Sequence, residues 1–277
     1  MTGFFVLDKP GGMSSMQAVA RLKRRLHPTA AGHMGTLDPM ATGVLPVAVG
    51  RATRLFDILT QDHKKTYVAD FTFGLESDTL DTTGTVMPCG AVPTRAEIEA
   101  ALPAFIGELG QVPPDFSAVH VDGKRAYALA RRGQSLTLAQ KRVTVFDFTL
   151  LSYAPPVATF AITCAGGTYV RALARDLAAA LGMHAVMSAL RRTAVGGFTL
   201  ATACDPDAVT ADRLLAPDAV LHYDTYTLLP GDKPLLHGLP VVTALPNGNV
   251  WLYHGEALYA LGAVSDGLLH PGIILCT

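Results

Sequence analysis

Hydrophobic positions recur along this chain with two different periods, and one stretch follows neither. Phe4-Phe5-Val6-Leu7 is a continuous apolar run of strand length, and the turn formers Lys9-Pro10-Gly11-Gly12 end it. Ser14-x-x-Gln17 then has the form of a capping box, with Val19, Leu22 and Leu26 on one side of the predicted helix and Arg21, Lys23, Arg24 and Arg25 forming a basic, mostly solvated surface. Ala52, Leu55, Phe56 and Leu59 repeat at helical spacing. Residues 64–73 alternate with period two, so Tyr67, Ala69, Phe71 and Phe73 share one face of a strand. Thr94-x-x-Glu97 opens a helix that buries Ile98, Ala101, Leu102 and Phe105, and residues 112–127 read as a strand, an Asp-Gly turn and a basic helix ending near Arg131-Arg132. Residues 143–151 and 157–164 are adjacent strands around Pro155-Pro156, and Val170, Leu173, Leu177 and Leu181 line one side of a helix that Gly182 stops. From Asp205 to about His222 the composition shifts to Asp, Ala and Pro. Beyond it, residues 223–277 read as short strands between Gly, Pro and Asn turns, the pattern of a small β-barrel.

The stretch with no period is Gly32-His33-Met34-Gly35-Thr36-Leu37-Asp38-Pro39-Met40-Ala41-Thr42-Gly43-Val44-Leu45-Pro46. Its glycines and prolines fix tight turns and allow close backbone approach, which is the composition of a site rather than a core. Asp38 precedes a proline and is therefore pushed toward an extended conformation at a stiff corner. As an isolated Asp-Pro pair it would read as the cap of a helix beginning at Pro39. Arg171 is odd for a different reason: a cation in the first turn of a helix opposes the helix dipole, so its position suggests a partner.

Composition narrows the classes. With 277 residues, 49% hydrophobic and 16% charged, the chain can bury a large domain and a small one, and general disorder is excluded. The short apolar run near the N-terminus has no basic segment ahead of it, and no later run approaches the roughly 18 residues of a membrane span, so a cytoplasmic location is expected. Cys89, Cys164, Cys204 and Cys276 lie far apart with no C-x-x-C pair, so their spacing signals neither zinc nor a disulfide framework. The net charge of −1 hides segregation. Residues 1–65 carry nine Lys/Arg against four Asp/Glu and residues 111–142 six against two, whereas 66–110 and 201–277 are each net acidic by six. Basic blocks of this kind permit RNA binding without demanding it.

The whole string from Gly32 to Pro46 resembles the G-H-x-G-T-L-D-P-x-A-x-G-x-L-P signature of the TruB family, the tRNA pseudouridine-55 synthases, with Met34 where a smaller residue is expected. Four further segments resemble family motifs in order: Lys9-Pro10-Gly11-Gly12-Met13-Ser14-Ser15; Lys65-Thr66-Tyr67 with Phe73-Gly74-Leu75-Glu76-Ser77-Asp78-Thr79; Gly166-Gly167-Thr168-Tyr169-Val170-Arg171; and Leu190-Arg191-Arg192-Thr193-Ala194-Val195-Gly196. The segment from Val112 to Tyr127 is similar to the family's RNA-gripping insertion, and Gly255 to Gly262 looks like part of its PUA-type domain.

The resemblance implies an α+β pseudouridine-synthase fold, a mostly antiparallel mixed sheet flanked by helices, over residues 1–222, with 111–142 as the insertion and 223–277 as a PUA-like β-barrel. It implies Asp38 as nucleophile or base, Arg171 as its ion partner, and Tyr67 as the ring against the target base and a proton-handling group. His33 would fill the space of the extruded base, Leu190 would line the pocket, and Lys9 would support the site. Lys124, Arg125, Arg131 and Arg132 would contact tRNA phosphates at the T-arm stem-loop. No metal and no cofactor is implied, because moving C1' of uridine from N1 to C5 changes no oxidation state. A monomer with no obligate protein partner is expected. The competing expectations are a non-catalytic RNA-binding or RNA-folding protein, disfavoured because Asp38, Tyr67 and Arg171 are all present, a guide-RNA-dependent relative, and an aspartyl-phosphate enzyme, which lacks a second carboxylate and magnesium ligands near Gly35-Thr36-Leu37-Asp38.

Overall fold

The apolar run at the N-terminus becomes strand β1 (Gly3–Lys9), buried on both faces. Residues 1–60, 64–117, 119–121, 124–130 and 137–276 are described by a computed structural model. After β1 come β2 (Ala31–His33), β3 (Thr42–Val49), β4 (Lys65–Phe73), β5 (Gly107–Gln111), β6 (Lys141–Ala154), β7 (Val157–Cys164), β8 (Ala185–Val195) and β9 (Phe198–Thr199). They form one sheet in the order β1-β3-β8-β4-β7-β6-β5, with β2 paired to β3 and β9 to β8. Every pairing is antiparallel except β3 with β8, where Thr42 and Gly43 lie parallel to Arg191 and Arg192.

The two halves of the sheet are covered differently. In β1 and β3 alternate residues enter different cores: Phe5, Leu7, Leu45 and Val47 join one, Phe4, Val6, Val44 and Ala48 the other. A strand with both faces covered reads as a continuous apolar run, which is why no period marks β3 in the sequence. In β4 burial alternates, with Tyr67, Ala69, Phe71 and Phe73 buried as expected. That face is packed by the helices Ser15–Leu26 and Val170–Ala180 and by an aromatic cluster of Phe71, Phe148 and Phe160 with centroids 4.8 to 6.1 Å apart. Both predicted capping boxes form, at Ser14 with Gln17 and at Thr94 with Glu97. Gly182, with φ of 68°, follows the helix Val170–Ala180 in the left-handed region that stops it.

Three local readings are sharpened, and the last of them changes. No helix begins at Pro39; Pro39 and Met40 form a turn closed by a bond from Ala41 N to the Asp38 carbonyl at 3.0 Å, and β3 follows. The basic face of the first helix is mostly solvated as expected, with Lys23, Arg24 and Arg25 exposed, but Arg21 pairs with Asp207 and Arg25 donates to the Val209 carbonyl at 3.1 Å. The C-terminal strands β10 (Asp224–Thr227), β11 (Val241–Val242), β12 (Gly248–His254), β13 (Ala257–Ser265) and β14 (Leu268–Ile274) make an open, curled sheet in the order β10-β12-β13-β14-β11. A closed barrel would pair β10 with β11, and the described residues show no such pair. This sheet has its own core of Leu235, Val250, Leu252, Ala260, Val264 and Leu269. Trp251, Leu261 and Leu275 instead pack with Phe4, Val44 and Phe198, so the C-terminal sheet covers the outer face of β1 and β3.

Candidate active site

Asp38 stands at the end of the corner between β2 and β3, and the backbone on either side of it is tied down. Before it, the Ser15 hydroxyl donates to the Leu37 carbonyl at 3.1 Å and accepts from Leu37 N at 2.9 Å. After it, the Pro39 carbonyl accepts from Gly12 N at 2.9 Å and from Lys9 Nζ at 3.2 Å. The Lys9 ammonium also donates to the carbonyls of Pro10 and Met13, at 2.9 and 2.6 Å, and its side chain is fully withdrawn from solvent. Lys9 therefore bears on the site through the loop it holds. Burial pushes its pKa down to about 8; the Asp38 charge opposes this and Arg192 adds to it.

A second cation holds the other side of the loop. Arg192 is completely buried, and its guanidinium donates to the carbonyls of Val44 at 2.7 Å, Gly35 at 3.2 Å and Thr36 at 3.5 Å. It also bonds the hydroxyl of Tyr67, its partner in the register of β4 and β8. Gly43 makes this approach possible: with φ of 102°, a Cβ there would lie 2.1 Å from the Arg192 carbonyl oxygen. Burial raises Tyr67 to about 12 against the bond from Arg192, so the phenol remains protonated at neutral pH. It can pack and donate a hydrogen bond, but it is a poor resting base.

Arg171 carries the ion pair. It is the second residue of the helix Val170–Ala180 and is buried, and its Nε lies 2.9 Å from Asp38 Oδ2 and 3.7 Å from Asp81 Oδ2. Its terminal nitrogens donate to the carbonyls of Thr79 at 2.9 Å and Phe116 at 3.0 Å. Asp81 is the buried carboxylate of the pair, at 5% side-chain exposure, and accepts from Thr79 and Thr83. Asp38 is 34% exposed, so its carboxylate faces an opening rather than a dry cavity. Desolvation there awaits an occupant.

His33 ends β2 with Nδ1 buried and without a hydrogen-bond partner among the described residues, and burial together with Arg192 lowers its pKa. Burial and Arg192 likewise lower Lys65. Leu190 is buried on β8, opposite Ala69. Met34 is buried in the second core without disturbing the corner, and Met34 N donates to the Pro46 carbonyl at 2.9 Å. Lys124 and Arg125 form one strand of a short hairpin with His120–Val121, while Arg131 and Arg132 lie outside the described residues. The excursion that carries them leaves and re-enters the sheet between Gln111 and Lys141, which are paired. It is clamped to the helix of Arg171: the Gln111 side chain exchanges two bonds with the Tyr169 backbone, at 2.8 and 3.2 Å, and Arg175 donates to the Val112 carbonyl at 2.9 Å.

Sequence reasoning missed Asp81, Ser15 and the function of Arg192. Asp81 had a signal, an acid two residues beyond the Asp78-Thr79 motif, and Arg192 lay inside a recognised motif. No group of three metal-ligating side chains among the described residues includes Asp38, Asp81 or His33.

A mixed sheet with one parallel pair at the loop, carrying an aspartate against a buried arginine, has the architecture of the pseudouridine synthases. Two solved structures share it: one titled as a Cbf5-Nop10-Gar1 complex, at 27% identity and a TM-score of 0.68 over 95% of this chain and 78% of that one, and one titled as an H/ACA RNP bound to a substrate RNA containing 2'-deoxyuridine, at 24% and 0.70 over 99% and 85%. The TruB family pseudouridylate synthase N-terminal domain matches residues 23–170, and the tRNA pseudouridylate synthase B C-terminal domain matches 171–233. The chain is 46% identical to the tRNA pseudouridine synthase B of Caulobacter vibrioides over 98% of this chain and 95% of that protein, and 41% identical to that of Trichormus variabilis over 99% and 98%. It belongs to the TruB family of pseudouridylate synthases.

Proposed function

We infer that this protein is a tRNA pseudouridine synthase that isomerises uridine 55 in the T-arm loop, with Asp38 as the reacting carboxylate. The observation that carries the reading is the Arg171–Asp38 pair at 2.9 Å, with one side of the carboxylate open. In the reaction the C1'–N1 bond breaks and a C1'–C5 bond forms, C5 loses its hydrogen and N1 gains one. Asp38 serves either by attacking C1' or by removing a ribose proton, and Arg171 stabilises the anion in both routes. The target base must first leave its stacked loop. The His33 Nδ1, which has no hydrogen-bond partner among the described residues, supports a role for that imidazole in filling the gap or bonding the RNA.

Tyr67 is assigned the base-packing role, as a neutral phenol held by Arg192, and Leu190 the pocket wall. Lys124, Arg125, Arg131 and Arg132 are assigned phosphate contacts, which the position of their segment between paired strands supports. The division into a catalytic unit, 1–222, and an RNA-binding unit, 223–277, is supported by the separate small core of the latter. Its open sheet is read as a shortened PUA-like module. The enzyme is proposed to act as a monomer in the cytoplasm, without an obligate protein partner; no helix among the described residues is long and apolar enough to cross a membrane.

The test is direct: incubate the protein with unmodified tRNA transcript and map pseudouridine at single-nucleotide resolution. Product at position 55 that disappears with Asp38→Asn is expected. Product at another uridine would overturn the position assigned, and unchanged product from Asp38→Asn would remove that residue from the mechanism.

A further inference from the structure

The spacing of the cysteines along the chain signals no metal, yet folding brings one of them to a histidine and a glutamate. Ligand atoms of Glu76, Cys89 and His184 all lie within 4.8 Å of one another. We propose that these three residues form a surface site for a thiophilic divalent cation of the Zn2+ class, separate from the Asp38 chemistry.

The backbone frame is what makes the cluster more than a chance meeting of surface groups. Gly74 N donates to the His184 carbonyl at 2.9 Å, and the Gly74 carbonyl accepts from Cys89 N at 2.8 Å. One glycine, with φ of 74°, thus fixes the main chain of two ligands. The third, Glu76, sits on the strand Leu75–Ser77, which pairs with Val86–Pro88 immediately before Cys89. The three donors therefore come from three chain segments held in register rather than from one floppy loop. Glu76 and His184 are exposed and Cys89 is partly buried, so solvent can deliver a cation and rotation of the two exposed side chains can close the set. Tetrahedral zinc needs donors about 3.5 Å apart, given bonds of about 2.0 to 2.3 Å. One sulfur, one imidazole and one carboxylate suit zinc or its first-row neighbours and not magnesium or calcium, which take oxygen shells. Water would complete the fourth position. The surrounding segment, 66–110, is net acidic by six, which favours a cation.

On binding, the Cys89 thiol releases its proton to solvent as the metal–sulfur bond forms. The cation would then join the base of the 75–88 hairpin to the start of β8. That hairpin carries Thr79 and Asp81, the two groups on it that hold Arg171, and Met187 N already donates to the Leu80 carbonyl at 3.0 Å. The site is a brace for the acceptors of Arg171.

Cobalt(II) titration of the full chain tests this, because thiolate ligation to cobalt gives a near-ultraviolet charge-transfer band. The expected result is a band saturating at one equivalent, displaced by Zn2+, absent in Cys89→Ser, and shifted at least about tenfold to weaker binding in His184→Gln. Cys89→Ser keeps its backbone bond to Gly74 and is expected to fold. The melting temperature of the wild type should rise with Zn2+ concentration, and that of Cys89→Ser should not. No band at one equivalent, a band that survives Cys89→Ser, or an equal melting shift in both proteins would overturn the proposal. The readouts are independent of tRNA modification, so they stand or fall apart from the function inferred above.

Discussion

The loop of Asp38 is gripped from two sides that use positive charge in opposite ways. On one side Arg171 faces two carboxylates, Asp38 and Asp81, and only completes its shell with carbonyls. On the other, Lys9 and Arg192 meet no carboxylate partner within hydrogen-bond reach among the described residues; they are buried against backbone carbonyls of residues 10, 13 and 39 and of 35, 36 and 44. The first arrangement balances the charge of the carboxylate proposed to react. The second uses charge as structural glue, since a carbonyl cage repays part of a cation's desolvation and fixes the chain that supplies it. Removing cations from the two sides should therefore fail differently.

The largest effect belongs to the carboxylate itself. Asp38→Asn is expected to lose at least about 10³-fold in single-turnover rate while retaining tRNA affinity, because the amide keeps shape but neither attacks nor takes a proton. Arg171→Ala comes next. It strands Asp81 in the interior, and because Asp38 is partly solvated the stability loss should fall at the lower end of the about 3 to 5 kcal/mol seen for broken buried pairs, read by urea denaturation. Arg171→Lys should recover much of the stability and little of the rate, since an ammonium cannot span Asp38, Thr79 and Phe116 together. If Lys restores both, the fork geometry is irrelevant.

On the glue side, Arg192→Met should cost about 2 kcal/mol or more through carbonyls left without donors. Its catalytic signature should be a fall in kcat with KM little changed, because Gly35–Leu37 loosens while the segments proposed to contact RNA are untouched. A variant with lowered KM and normal kcat would contradict that role.

Lys9 sharpens the contrast through pH. Its folded pKa of about 8 lies below the usual 10.5, so between those values the unfolded chain holds more protons and stability rises with pH. Lys65, lowered by burial, acts in the same direction. Tyr67 acts oppositely, but only as pH passes from 10 toward about 12. Denaturation from pH 7.5 to 9.5 should therefore show wild-type stability increasing and Lys9→Met flatter. An identical slope would mean the ammonium is solvated.

The smallest effect on chemistry is expected from neutralising Lys124, Arg125, Arg131 and Arg132 together. Saturating kcat should hold while tRNA binding weakens and its salt dependence flattens, as fewer counterions are released. An unchanged salt slope would move the binding surface elsewhere.

How much of this was legible depended on which faces of an element meet solvent. Period two exposed β4 and the orientation of Tyr67, and helical spacing with capping boxes exposed the helices at Ser15 and Arg95, because each has one wet face. In β3 both faces are buried and the pattern vanishes. In β8, shifts in register after Met187 and Arg192 interrupt the alternation, so the strand that joins the two halves of the sheet and carries Leu190 and Arg192 read only as a motif. The expected barrel failed to close for a related reason: short apolar strands specify a sheet, while closure depends on whether its two edges meet.

The sequence by itself determined the chemistry offered, an aspartate at a proline corner, a tyrosine on the core face of a strand and an arginine misplaced for its helix, since these follow from residue type and local backbone preference. Only the tertiary structure decided the partners: Asp81 for Arg171, three carbonyls for Arg192, Ser15 for Leu37, and Cys89 beside Glu76 and His184. Such pairings join residues far apart in the chain through strand register and helix packing, and no local pattern encodes which distant group will arrive.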